Sequence, residues 1–117
     1  MPIRTGRGDS GFTNLLSRQR IRKDSPDIRT IGDLDEACSY LGLVKVKLRA
    51  LNEKEMIERI QHAVFVIASE IALGPAKRKK NHPLLDDRDG DWIESVIIEL
   101  ERKTDLKRCF HLPGGTE

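Results

Sequence analysis

The 117 residues carry 21 Lys and Arg against 19 Asp and Glu, a net charge of +2, with 38% hydrophobic and 4% aromatic residues. That length supports one modest core, and an apolar content made of Leu, Ile, Val and Ala suits a helical protein facing water. No apolar run approaches the roughly 20 residues of a bilayer crossing and no apolar export core opens the chain, so a cytoplasmic protein with no membrane partner is expected.

Residues 1–28 lack helical periodicity and are rich in Gly, Ser, Thr, Asp and Arg, a composition that points to a functional or disordered segment. Over residues 1–30, Arg4, Arg7, Arg18, Arg20, Arg22, Lys23 and Arg29 face only Asp9, Asp24 and Asp27. Within this stretch, Gly8-Asp9-Ser10-Gly11-Phe12-Thr13 is the most informative run. Two glycines three apart allow turns that aim successive N–H groups at an anion, Asp9 can organise the turn, and Thr13 adds a hydroxyl. An ordinary Gly/Asp turn would read the same way. Arg7-Gly8-Asp9 also spells an adhesion tripeptide, a string common by chance. The basic run from Arg18 to Asp24 could neutralise a polyphosphate, with Arg offering a fork and Lys a point charge; a solvated loop is the plainer explanation.

A first helix is expected from about Thr30 or Asp33 to Ala50, because Leu34, Ala37, Cys38, Leu41, Val44 and Leu48 recur at three- and four-residue steps. Asp33, Asp35 and Glu36 at its start suit the helix dipole, and Asp35 lies off the apolar stripe, where it could meet a base on another subunit. Asn52 and Glu55 suggest a capped start for a second helix over Glu53–Leu73. Its centre, Ala63 to Ala68, is apolar nearly all round and should be the most buried element, and Gly74-Pro75 should end it.

The run Lys77-Arg78-Lys79-Lys80 and Asn81-His82-Pro83 read as a loop with a solvated basic surface. A third helix should begin between Asp86 and Asp91 and reach about Thr104, with Trp92, Ile93, Val96, Ile97 and Leu100 facing inward. Cys38 and Cys109 lack CxxC spacing and read as reduced, buried thiols. The spacing of His82, Cys109 and His111 matches no zinc pattern, so no metal centre is expected. Nucleic acid is not an expected partner either, since the basic runs lack aromatic residues for stacking. The fold class expected is all-α, an antiparallel helical bundle forming one domain over 1–117, with a loop region at 1–28 and helices over 30–117.

In order along the chain, these motifs resemble the PduO-type ATP:cob(I)alamin adenosyltransferases. That family carries a Thr-Lys-Thr-Gly-Asp-x-Gly-x-Thr loop, a Glu-Arg-x-x-Lys-Asp segment, Gly-x-x-Asp-Glu-Leu-Asn-Ser-x-Leu-Gly opening a helix, an Ile-Gln pair and a Phe-x-Leu-Pro-Gly-Gly strip. The matching stretches are Gly8–Thr13, Gln19–Asp24, Gly32–Gly42, Ile60-Gln61, Ala68–Pro75 and Phe110–Gly115. The resemblance implies transfer of the 5′-deoxyadenosyl group of ATP, bound with Mg2+, to cobalamin, in a homotrimer with both substrates between subunits. It implies that Gly8, Asp9, Gly11 and Thr13 fold over the triphosphate while Arg20 and Lys23 offset its charge. Asp35 corresponds to an acid that forms an inter-subunit salt bridge near the corrinoid, and Phe110 to an aromatic that excludes the lower axial ligand of cobalt.

Departures are visible as well. The loop's Lys is Gly6 and its second Thr is Arg7; Gln19 replaces a Glu, and Cys38 stands for the helix-opening Asn. Family members also continue past Pro-Gly-Gly into an Arg/Glu-rich helix that supplies ATP contacts and the partner of the Asp35 acid, whereas this sequence ends at Glu117. The alternative expectation is therefore a non-catalytic relative that binds nucleotide or corrinoid, or a helical interaction module.

Overall fold

The structure is a computed structural model that describes residues 6–74, 83–104, 109–110 and 113–114. The Lys77–Lys80 run, His82 and His111 lie outside the described residues. The chain divides into two compact units, Met1–Leu85 and Asp86–Glu117.

The first unit holds a hairpin and two long helices. Strand β1, Phe12–Asn14, pairs antiparallel with β2, Arg20–Arg22, in the register Phe12 with Arg22, Thr13 with Ile21 and Asn14 with Arg20. Side chains alternate between the faces of a strand, so Thr13 and Ile21 share the half-buried inner face. Phe12, Asn14, Arg20 and Arg22 share the exposed outer face. The connecting loop is closed by Leu15 N donating to Gln19 O at 2.9 Å and Arg18 N to Leu15 O at 2.8 Å, with Arg18 at φ 65°. No hairpin was expected in this stretch. Three-residue strands are too short for alternation to stand out against basic and turn residues.

Helix α1 spans Pro26–Lys47, starting several residues earlier than the apolar stripe suggests. Pro26 explains the difference: its fixed φ and missing N–H suit the first helical position, and Ser25 precedes it at φ −67°, ψ 152°. Ile28 and Ile31 extend the half-buried stripe through Leu34, Cys38, Leu41 and Leu48. Val44, assigned to that stripe from spacing, is 46% exposed, and neighbouring Lys45 takes the inner seat, its ammonium 3.7 Å from Glu58. A lysine stem can lie along apolar surface while its charge reaches a carboxylate, so spacing alone does not decide between neighbours.

Helix α2, Leu51–Leu73, contributes the buried residues Val66, Ala68, Ser69 and Leu73, as its apolar centre leads one to expect. It begins two residues before the expected start, with Ala50 as N-cap and no side-chain cap, which places Asn52 inside the helix. The three-residue turn Leu48–Ala50 and the contacts Cys38–Gln61 and Lys45–Glu58 show that α1 and α2 run antiparallel. Their centres are joined by a reciprocal lock. Gln61 Nε2 donates to the Cys38 carbonyl at 3.0 Å, and Cys38 Sγ lies 4.0 Å from the Gln61 carbonyl. A Cβ on Gly42 would stand 3.4 Å from Gln61 Nε2, so the glycine leaves the amide room.

The last turn of α2 anchors the hairpin. Ala72 O, a carbonyl with no later turn to serve, accepts from Ser17 N at 3.2 Å, and Ser17 is buried. Gly74, at φ 65°, ends the helix as expected and donates to Glu70 O and Ile71 O. The hairpin tip is thereby fixed to one end of the helix pair.

The second unit contains α3, Asp87–Lys103, within the expected bounds. Asp86 accepts from Arg88 N while Asp89 accepts from Asp86 N, a reciprocal cap at a helix start that also favours acids. The expected inward face holds in part: Trp92 and Val96 are half-buried, whereas Ile93, Ile97 and Leu100 are exposed, with no second helix among the described residues of this unit to cover them. Neither thiol is fully buried, Cys38 being half-buried and Cys109 exposed, and neither is in a disulfide. The observed class is all-α with one small two-stranded sheet. Among the described residues no helix is long and apolar enough to cross a membrane.

Candidate anion-binding cleft

Two successive turns shape the glycine segment. Asp9 N donates to Gly6 O at 3.2 Å, and Gly11 N to Gly8 O at 3.3 Å. Gly6 and Gly11 sit at φ 67° and 81°, a region that penalises any side chain. The second turn is stitched to the hairpin's far end by Lys23 N donating to Gly11 O at 2.9 Å. Because closing the turns occupies the Asp9 and Gly11 amides, those two are not donors to a ligand.

The same geometry carries Lys23 back across the glycines. A Cβ built on Gly8 would lie 2.9 Å from Lys23 Nζ, so the ammonium rests where residue 8 has no side chain. Beside it opens a cleft of about 540 Å³ lined by Arg7, Gly8, Phe12, Thr13, Asn14 and Arg20. Arg20 donates to Ser10 Oγ at 3.4 Å, and its guanidinium carbon stands 5.5 Å from the centre of the Phe12 ring.

Charge is sorted within this short stretch. Arg22 grips Asp24 through two hydrogen bonds of 2.8 and 2.7 Å. The hydrogen bond from Arg22 holds the Asp24 carboxyl down to about 2, helped by the charge attraction between them. Arg20 and Lys23 have no carboxylate partner among the described residues. The one exposed acid of the loop, Asp9, directs Oδ2 back toward Gly6, 3.6 Å from where a Cβ there would sit. Arg7, Arg20 and Lys23 therefore give the cleft surplus positive charge next to flexible-backbone glycines, an arrangement suited to a phosphate chain. A second open cleft, of about 480 Å³, is lined by Glu55, Glu58, Arg59 and His62. Its two carboxylates make it a poor seat for an anion. Among the described residues no group of three or more His, Cys, Asp or Glu could hold a metal ion.

Of the residues singled out from sequence, Gly8, Thr13 and Arg20 line one cleft, Lys23 lies over Gly8, and Gly11 and Asp9 shape the turns. Thr13 meets the cleft from a strand position whose side chain belongs to the Ile21 face. Asp35 stands outside this group, exposed in α1, with Ser39 Oγ donating to its backbone carbonyl at 2.8 Å. Phe110 lies in the second unit and is 88% exposed. Sequence reasoning missed Phe12 and Asn14 as wall residues. The signal that could have found them is the pairing of two short strands, which places 12 and 14 on one face with 20 and 22.

The chain is 27% identical to the corrinoid adenosyltransferase PduO of Salmonella typhimurium over 117 residues, all of this chain and 35% of that protein. It is 32% identical to a cobalamin adenosyltransferase of Cupriavidus metallidurans over 121 residues, covering 97% of this chain and 59% of that one. A solved variant of the PduO-type ATP:corrinoid adenosyltransferase from Lactobacillus reuteri, complexed with cobalamin and ATP, superimposes with a TM-score of 0.88 at 24% identity. That match covers 99% of this chain and 65% of the neighbour's. Another variant of that enzyme, complexed with ATP, gives 0.82 at 26% identity, covering 97% of this chain and 64% of its own. The chain thus spans between about a third and two thirds of the length of these relatives. The family model described as cobalamin adenosyltransferase matches residues 3–117, and the chain belongs to that family.

Proposed function

We propose that this chain is an ATP:corrinoid adenosyltransferase, moving the 5′-deoxyadenosyl group of ATP onto the cobalt of cob(I)alamin. The observation that carries the reading is the cleft itself, where Arg7, Arg20 and the Lys23 ammonium converge on the Gly8–Gly11 turns without acid partners among the described residues. In the reaction the Co(I) electron pair forms the bond to C5′, the C5′–O5′ bond breaks, and triphosphate departs with its electrons. Fixed cations at the triphosphate favour this displacement because they stabilise charge developing on the leaving group. Gly8, Asp9, Gly11 and Thr13 would wrap the phosphates, and Arg20 and Lys23 would neutralise them. Magnesium would arrive with the nucleotide, held chiefly by phosphate oxygens and water, with Asp9 the one acid of the loop able to assist.

At the corrinoid, Phe110 would exclude the lower axial ligand of cobalt and so ease formation of the nucleophilic Co(I) state. Asp35 would pair with a base of a neighbouring subunit in a homotrimer. Its exposure, and that of Tyr40, Leu43 and Val46 on the same helix, support contact with another chain. Two unbridged thiols fit a cytoplasmic setting.

The test is to mix the chain with ATP and chemically reduced cobalamin and follow the absorbance of adenosylcobalamin. Product is expected; none at high protein concentration would refute the catalytic reading. A binding-only relative is the second reading, favoured by Gly6, Arg7 and Cys38 standing where the family pattern has other residues. Calorimetry with ATP separates the two: heat of binding without turnover supports this second reading, and no heat eliminates both.

A further inference from the structure

The outer face of the hairpin holds a contact that the family motif does not specify. Phe12 and Ser10 occupy the two variable positions of the Gly8–Thr13 run, yet both touch Arg20. Phe12 pairs across the sheet with Arg22, and Arg20 is its diagonal neighbour on the same face. Diagonal neighbours lie roughly 7–8 Å apart, within reach of an aromatic and a long side chain. Two arginines therefore compete for one ring.

Asp24 settles the competition. It takes Arg22 in a two-bond grip at 2.8 and 2.7 Å, leaving the Phe12 ring to Arg20 at 5.5 Å. Ser10 Oγ accepts a hydrogen bond from the same guanidinium at 3.4 Å. Arg20 has no acid to hold it among the described residues, and an unrestrained arginine loses much rotamer freedom on binding a ligand. We propose that Phe12 is a positioning residue: its ring holds the Arg20 guanidinium in the cleft before a polyphosphate arrives, while Asp24 keeps Arg22 off the ring.

Preorganisation of this kind raises affinity by reducing what must be ordered at binding. It rests on the proposed reading of the cleft as a triphosphate site, and inorganic tripolyphosphate is the probe. Phe12→Leu keeps an apolar side chain and removes the aromatic face. Its expected effect is a roughly two- to fivefold rise in Kd for tripolyphosphate, the range of a cation–π contact at an exposed site, with Phe12→Tyr restoring the wild-type value. In an Arg20→Gln background, Phe12→Leu should add nothing.

A second readout needs no ligand. In the free protein the Arg20 Hδ protons should be shifted upfield by the ring and return to ordinary positions in Phe12→Leu, while melting of the two proteins coincides. Absence of that shift in the wild type overturns the proposal. So does a Phe12→Leu chain that binds tripolyphosphate as tightly as the wild type, or one that still weakens binding when Arg20 is already Gln. Failure of the wild type to bind tripolyphosphate defeats the reading of the cleft and this inference with it; the other outcomes defeat the inference alone.

Discussion

The glycine-hairpin segment and the residues assigned to the corrinoid side differ in how much of their geometry one chain supplies. At the hairpin, each functional group has a local reason for its place. Lys23 lies over a residue without a side chain, Arg20 rests against Phe12 and Ser10, and Arg22 is removed by Asp24. Asp35 and Phe110 have no such support. One is exposed on a helix with no ion-pair partner among the described residues, and the other is 88% exposed in a separate unit. A nucleotide face can be organised by short-range contacts within a few dozen residues. For the proposed corrinoid roles of Asp35 and Phe110 the described residues show no comparable set of local contacts.

If the two faces are independent, substitutions should separate them. The largest effect is expected at the corrinoid side, where Phe110→Ala should slow formation of adenosylcobalamin by about a hundredfold, the scale of losing one placed group in a reaction. ATP affinity measured by calorimetry should stay within about twofold of the wild type, since the role proposed for the ring is at the cobalt and not at the phosphates. An equal loss in both measurements would join the faces and break the comparison. Next in size is Lys23→Ala. Removing a charged donor from the phosphate chain costs about 2 kcal/mol, roughly thirtyfold in Kd for ATP, with the hairpin intact because the Lys23 backbone bond to Gly11 remains.

Gly8→Ala probes the same ammonium from beneath. The new Cβ would stand 2.9 Å from Lys23 Nζ, the end of a flexible side chain that can move away. Binding should fall about tenfold through misplacement of the charge, while the melting temperature is unchanged. A large drop in melting temperature would mean that the loop backbone, and not the lysine, had yielded. Gln61→Leu should act in the opposite sense, costing about 1 kcal/mol of stability from the lost bond to Cys38 and leaving ATP affinity alone. Chemical denaturation followed by circular dichroism checks the first half of that expectation, and calorimetry the second.

How far these features could be read in the sequence follows the range of the interactions behind them. The ends of α3 and the glycine stop of α2 were legible because caps act over three or four residues. The Gly8–Thr13 run and Arg20 stood out as candidates for anion binding because residue types and spacing suit that chemistry, and the structure places Gly8, Thr13 and Arg20 along one cleft. Phe12 as a partner of Arg20 was not legible, since it depends on strand register between segments eight residues apart. Nor was the choice between Val44 and Lys45 for the inner seat of α1, which Glu58 on the other helix decides. The burial of Cys38 and of the α3 stripe was overestimated for a related reason. An apolar period specifies a face but not what covers it.

The smallest expected effect tests how the hairpin sorts its arginines. The hydrogen bond from Arg22 lowers the Asp24 carboxyl from 3.8 to about 2, so the folded chain binds this proton more weakly than the unfolded one. The pair's contribution is therefore complete above the ordinary carboxylate range and fades as pH falls from there through about 2. Both groups are exposed, and solvent screening keeps the effect on overall stability slight. Carbon NMR of the Asp24 carboxyl should show its midpoint near the depressed value, and Arg22→Gln should return it to the ordinary range. At neutral pH, Asp24→Asn should release Arg22 toward the ring directly across the sheet and weaken tripolyphosphate binding by less than about twofold, because the new competitor is itself a cation beside the cleft. A midpoint already in the ordinary range in the wild type would mean that Arg22 is not held in solution. The contrast between the proposed nucleotide face and the proposed corrinoid face would then lose its sharpest local example.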